Sequence, residues 1–242
     1  MLTRAKAENA DKPRRFWTEV DVAESANGFV VRLVGRPAKT PAGQPLAAPT
    51  RALAEVVAEE WAAQGETVEF ATMLATRLAS TALDRVPAQH RAVAGEVARY
   101  ATSDLLCYVA EGPEPLVRAE QAAWSPLLAW ANTELGLRFV QAAGIIHTPQ
   151  PAETVERVEA LAAELDDFRL TALAFAAPLF GSAVLALALQ RGRIPGEQAW
   201  EASRVDEAFQ ESRWGVDAEA AERAGKLREE ALMLERWFRA LD

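Results

Sequence analysis

Cysteine occurs once and histidine twice in these 242 residues, so the chain has almost none of the side chains that build disulfide frameworks and most transition-metal sites. Cys107, standing alone, excludes an internal disulfide and suits a reducing compartment. His90 and His147 lie in different segments, so no metal is expected. A phosphate cradle is missing as well: Gly35-Arg-Pro-Ala-Lys39-Thr40 ends like a phosphate-binding loop, but Leu33 and Ala38 stand where that motif needs glycines. No cofactor is expected. The first residues, MLTRAKAENADKPRR, lack the apolar centre of a secretory signal and read as a polar tail.

Positive charge is scarce too, and the net charge is −9. Residues 1–51 carry 9 basic and 5 acidic side chains (+4), whereas 52–242 carry 17 and 30 (−13). Such a surface argues against nucleic acid and fits a protein partner with a basic or mixed patch. The longest uncharged stretch, Leu170 to Gln190, would reach across a bilayer. Seven of its residues are alanine, however, and Pro178, Gly181 and Ser182 place a break and a cap in its middle. It reads as two short helices at the centre of a helical domain, without stable membrane insertion.

What the chain does have is alanine, 51 residues of it, which favours closely packed helices over a bulky aliphatic core. Phe16 to Val22 alternates, with Phe16, Thr18, Val20 and Val22 on one side, and Phe29 to Val34 is rich in β-branched residues. Asn27-Gly28 between them predicts an antiparallel hairpin. Residues 35–46 suit short edge strands about Ala42-Gly43, Thr50 caps a helix to Gln64, and 68–70 suggests one more strand. From Met73 the pattern turns helical: one helix to about Asp84, one over 88–109 with a hesitation at Thr102-Ser103, and one starting at Ser125-Pro126 and ending at Gly136. After the irregular stretch 137–151, further helices are expected over about 153–176, 182–191, 196–213 and 217–241. The fold class is therefore α+β in two parts: a tail (1–14), a small antiparallel β-rich domain with one helix (15–72) and a larger all-α domain (73–242).

Candidate chemistry converges on residues 204–220. On a helix Asp206, Gln210 and Trp214 are four apart and Glu207 leads Gln210 by three, so carboxylates, an amide and an indole share one face. Gly215 falls where a helix wants a positive-φ stop, and Asp217 can cap the next helix with Glu219 in its first turn. A corner without nucleophile, metal ligand or phosphate cradle docks more readily than it catalyses. One enzymatic reading stays open: paired carboxylates, Asp206 with Glu207 or Asp217 with Glu219, could serve a hydrolase or lyase as acid and base. The bland alternative is that these groups cap helices or hold arginines such as Arg204 and Arg213. Cys107, among Leu105, Leu106 and Tyr108, reads as a small buried residue, and Trp124 and Trp130 as core. Trp214 is the tryptophan expected to be exposed.

Taken in order, several stretches resemble an assembly chaperone family, the one that protects the α subunit of the ATP synthase catalytic head in mitochondria and α-proteobacteria. They are Arg15-Phe16-Trp17, Gly35-Arg36, Lys39-Thr40-Pro41, Ala58-Glu59-Glu60-Trp61, Thr76-Arg77-Leu78, Thr81-Ala82-Leu83-Asp84-Arg85, Asp104-Leu105-Leu106-Cys107-Tyr108, Trp124-Ser125-Pro126, Gln150-Pro151, Gly181-Ser182, Asp206-Glu207-Ala208-Phe209-Gln210, Trp214-Gly215 and Asp217-Ala218-Glu219-Ala220. Ser103 and Ser125 depart from the pattern, where threonine and aspartate are expected. The resemblance implies a chaperone, not an enzyme, that shields the α subunit's inter-subunit surface until the β subunit displaces it. It also implies that Asp206, Glu207, Gln210, Trp214, Asp217 and Glu219 make the contact. The expected free state is a monomer. The bias of 22 arginines over 4 lysines suits a bacterial cytoplasm, with the mitochondrial matrix second.

Overall fold

The expected hairpin is present, displaced toward its turn. Strand β1 (Val20–Ser25) pairs antiparallel with β2 (Gly28–Leu33), from Val20 opposite Leu33 to Ser25 opposite Gly28. The structure is a computed structural model describing residues 13–144 and 146–242, so all but the end of the expected 1–14 tail lies outside the described residues. Strands β3 (Arg36–Pro37) and β4 (Ala47–Ala48) both pair antiparallel with β2 and complete a small sheet. Gly28 has φ 105°, and a Cβ there would sit 2.4 Å from the Ala48 carbonyl oxygen. Gly28→Ala therefore combines backbone strain with a backbone collision, and chemical denaturation should show a loss of about 2–4 kcal/mol.

Phe16 was expected on one side of the strand with Thr18, Val20 and Val22. It is 76% exposed, and Trp17 is the buried residue. The reason is chemical: the Trp17 ring packs edge-on to Trp61 at 5.1 Å and its Nε1–H donates to the Trp61 carbonyl at 3.2 Å, joining apolar burial to a satisfied donor. Thr50 caps α1 (Arg51–Ala62), accepting from the Leu53 amide, and Leu53, Val56, Val57 and Trp61 turn inward.

Residues 68–70 do not form a strand. Arg14 bridges Thr67, and a 3-10 turn at Phe70–Thr72 leads into α2 (Leu74–Asp84). Glu60 of α1 caps α2, accepting from the Ala75 and Thr76 amides at 2.7 and 2.8 Å and from the Thr76 hydroxyl at 2.8 Å, an anion at a helix N-terminus. Asp84 at the other end accepts from the Thr40 hydroxyl at 2.7 Å and the Ala42 amide at 2.9 Å. Helix α2 is thus bonded into the β-rich part. The first compact unit accordingly extends to Pro87 and includes Arg239–Asp242, instead of ending at 72.

The second unit, Ala88–Phe238, is helical apart from one small parallel pair. Helix α3 (Val86–Ala101) leaves helical geometry at Gln89 and ends where a hesitation was expected, short of Val109. A 3-10 turn (Leu105–Cys107) follows, then β5 (Tyr108–Val109), which pairs with β6 (Ala142–Ala143). Helix α4 (Glu114–Glu134) begins well before the Ser125-Pro126 signal and carries Pro126 in its interior. Burial of Trp124, Leu127, Leu128, Trp130 and Ala131 around that proline holds the helix through the missing amide.

Two of the expected long helices are each divided. Asp166 accepts from the Phe168 and Arg169 amides and so separates α5 (Ala152–Ala163) from α6 (Asp167–Phe180). Arg204, at φ −128° and ψ 25°, separates α8 (Gly196–Ser203) from α9 (Val205–Trp214). Between them lies α7 (Ala183–Gln190), buried from Ala183 through Leu189; Gly181 in the left-handed region and the Ser182 cap break it from α6, as expected. No helix among the described residues is long and apolar enough to cross a membrane. The last helix, α10 (Ala218–Ala240), buries Ala231, Leu234 and Phe238 while Leu227 stays 39% exposed.

Candidate docking surface

Helix α9 lies against α4 and presents the corner. Its outer stripe runs Glu207, Gln210, Trp214, at i, i+3 and i+7, and all three are exposed. Trp214 is 79% exposed and Val216, just beyond the helix, 59%. Among the described residues none of these side chains is hydrogen-bonded or ion-paired. Gly215 ends the helix at φ 86° with an extended ψ of 169°, and its amide donates to the Glu211 carbonyl. Asp217 then caps α10, accepting from the Ala220 amide at 2.9 Å, and Glu219 pairs with Arg223 at 2.5 Å. Both residues are exposed.

Asp206 does not share the outer stripe. Its Oδ1 is buried without a hydrogen-bond partner, on the side of α9 that meets Glu120 of α4. Arg204 is not its counter-ion, because the guanidinium pairs with Glu211 at 2.7 Å and lies over the Trp200 ring at 5.3 Å. Arg213 instead covers the Phe209 ring at 4.8 Å. Around the exposed indole, Glu207, Asp217 and Glu219 thus outnumber Arg213, and Glu219 alone of these acids has an arginine of its own.

The residues that could have carried chemistry are engaged elsewhere. Cys107 is buried, and burial pushes its thiol well above the usual range. His90 Nδ1 lies 2.7 Å from Asp167 Oδ1, which pulls its pKa up, and His147 Nδ1 lies 3.1 Å from the Tyr108 hydroxyl. No metal-ligating group of three or more His, Cys, Asp or Glu occurs among the described residues. A carboxylate pair does exist, but it joins Glu120 to Asp206 instead of Asp206 to Glu207. Glu120 is 1% exposed, so no substrate reaches it.

The profile of the ATP12 chaperone protein family matches residues 14–132. The crystal structure of Atp12 from Paracoccus denitrificans is 41% identical, covers 95% of this chain and 98% of its own, and superposes with a TM-score of 0.87. The chain belongs to the ATP12 chaperone family. A crystal structure of an Agrobacterium tumefaciens protein agrees, at 38% identity, a TM-score of 0.88, and coverage of 95% of this chain and 87% of that one. The mitochondrial atp12 protein of Schizosaccharomyces pombe is 24% identical over 221 residues, 86% of this chain and 76% of that protein.

Several residues of the stretches on which the resemblance was stated hold the fold. Glu60 with Thr76, Thr40 with Asp84, and Asp104 with Ser182 are partners inside one unit or the other. Gln150 closes its loop on Val140 in both directions, at 2.8 and 2.9 Å. The profile match stops at Asn132, so it does not include the corner. Two features escaped the sequence reading. Val216 extends the exposed apolar tip, and Glu120 sits on the buried seam of α4, four residues before Trp124 and eleven before Ala131. A carboxylate at that helical phase is the signal that could have found it.

Proposed function

We propose that this ATP12-family chaperone binds the free α subunit of the ATP synthase catalytic head, shields its inter-subunit surface and yields when the β subunit arrives. The observation that carries the reading is the outer stripe of α9: an indole 79% exposed, with the unpaired Glu207 two turns before it, on a helix whose other side lies against α4. An unassembled subunit exposes apolar surface that invites aggregation. An aromatic anchor inside a polar acidic rim covers such a patch with moderate affinity, so the natural neighbour can compete. Asp206, Glu207, Gln210, Trp214, Asp217 and Glu219 form the proposed site. Glu207, Gln210 and Trp214 make direct contact, Asp217 and Glu219 supply the rim, and Asp206 supports the helix from beneath. The free protein acts as a monomer in a bacterial cytoplasm or, in a mitochondrial setting, in the matrix.

Co-purification tests the role. Tagged wild-type protein should recover the α subunit from cells, and Glu207→Lys should recover several-fold less. Absence of the α subunit from the wild-type eluate, with the chaperone folded and abundant, would reject the assignment.

A further inference from the structure

Glu120 is almost wholly buried, yet it belongs to no ion pair with a base. Its Oε2 accepts from the Ala110 amide at 2.7 Å, which fixes the carboxyl plane and leaves Oε1 for a second partner. That partner is Asp206 in the first turn of α9. Asp206 Oδ1 is buried and receives no N–H or O–H from any described group. Two carboxylates facing each other out of water would leave both oxygens acceptors without donors, at a cost of several kcal/mol.

Among the described residues the surroundings supply no cation. Helix α7, packed on α4, carries no charged residue. On α8, Glu197 pairs with Arg228, and Glu201 is a further acid. From β5 and the 3-10 turn come Tyr108, bonded to His147, and neutral Cys107. On α4 itself Arg118 pairs with Glu114. Just before α9, Arg204 is taken by Glu211; on α9 Glu207 turns outward, and Arg213 lies on Phe209. With no neighbouring cation, only a proton satisfies both oxygens.

We propose that Glu120 is a positioning residue for the docking corner: it keeps its proton, donates it to Asp206 Oδ1, and by that bond holds the first turn of α9 beneath Glu207, Gln210 and Trp214. The chemistry agrees. Burial, and then the hydrogen bond to Asp206, push the Glu120 carboxyl up to about 7. The native state thus keeps a proton that the unfolded chain gives up in the ordinary glutamate range. The stability this pair contributes is full below the ordinary glutamate value of 4.5 and is lost progressively as pH rises from there through about 7. The docking corner becomes a surface whose anchorage depends on one proton near neutrality.

What the proposal says about use of the corner rests on the docking reading, but the proton itself is measured without the α subunit. Protein labelled with 13C in its glutamate carboxyls should show the infrared band of one protonated glutamic acid at pH 6. The band should fade through about pH 7 and be absent from Glu120→Gln, whose amide donates in place of the proton and keeps the fold. With 5-fluorotryptophan, the Trp214 resonance, assigned by Trp214→Phe, should move over the same pH range in the wild type and stay fixed in Glu120→Gln. A wild-type spectrum without the band at pH 6, or a band that survives Glu120→Gln, overturns the shared proton. Loss of the band on adding calcium or magnesium overturns it in favour of a cation between the carboxylates. A Trp214 resonance that ignores pH overturns the positioning role. None of these results depends on whether the α subunit binds.

Discussion

Asp104→Asn is expected to destabilise the helical unit by about 2–4 kcal/mol, although it changes one atom type and no volume. Asp104 is fully buried, and both its oxygens are used. Oδ1 accepts from the Leu106 amide at 3.1 Å and the Ser182 hydroxyl at 2.7 Å, and Oδ2 accepts from the Val184 amide at 3.0 Å. An asparagine must turn its NH2 toward one of these donors, so whichever way it flips, a buried N–H or O–H loses its acceptor. The site joins two segments far apart in sequence, with the Leu105 amide also donating to the Gly181 carbonyl at 3.1 Å. It closes the N-terminus of α7, the most buried helix of the unit, where the carboxylate also meets the helix dipole. Ser182→Ala removes one donor to Asp104 and the cap on the Leu185 amide but leaves Asp104 its amide bonds, so its cost should be about 1–2 kcal/mol, below that of Asp104→Asn. Urea unfolding at neutral pH, followed by circular dichroism, measures both. If Asp104→Asn lies within about 0.5 kcal/mol of wild type, the carboxylate is not what fixes α7.

That site illustrates what a single sequence makes legible. Signals within a few residues were read correctly: Thr50 at the start of α1, Gly181-Ser182 between α6 and α7, and Asp217 at the start of α10 each cap through an amide three residues or fewer away. Partners distant along the chain were not. Asp104 and Ser182 are separated by 78 positions and Thr40 and Asp84 by 44, and no periodicity links them. For that reason the family stretches were recognisable only as an ordered set, and the first unit was expected to end before α2. Elsewhere two local rules compete. Ser125-Pro126 has the form of a helix start, yet the apolar spacing of Trp124, Leu127, Leu128 and Ala131 runs through it, and burial outweighed the missing amide. At the corner, helical spacing put Asp206, Gln210 and Trp214 on one face, but side-chain direction separates them. The unpaired Oδ1 of Asp206 turns inward to Glu120, while Glu207 takes its place in the exposed stripe.

Trp214→Ala combined with Glu207→Lys is expected to weaken binding of the α subunit by two to three orders of magnitude while leaving the chaperone's own stability within about 0.5 kcal/mol of wild type. The two residues contribute differently. The indole is the largest exposed apolar group of the corner, and an aromatic anchor that becomes buried in an interface is worth about 2–4 kcal/mol on truncation, roughly 30- to 1,000-fold in Kd. Glu207 is a contact residue but a single solvent-exposed charge, so reversing it should cost about 1 kcal/mol and act largely through the association rate. Raising the salt concentration should therefore close most of the gap between wild type and Glu207→Lys and little of the gap to Trp214→Ala. Neither side chain has an internal partner among the described residues, so their removal leaves no buried group unsatisfied. That separates this pair from Asp206, whose replacement disturbs Glu120 and with it the seat of α9. Titration of purified α subunit at low and high salt, with circular dichroism on each variant, reads both quantities. A double variant that still binds within about threefold of wild type would move the contact away from α9, because no other change to its exposed stripe removes as much apolar surface or reverses as much charge.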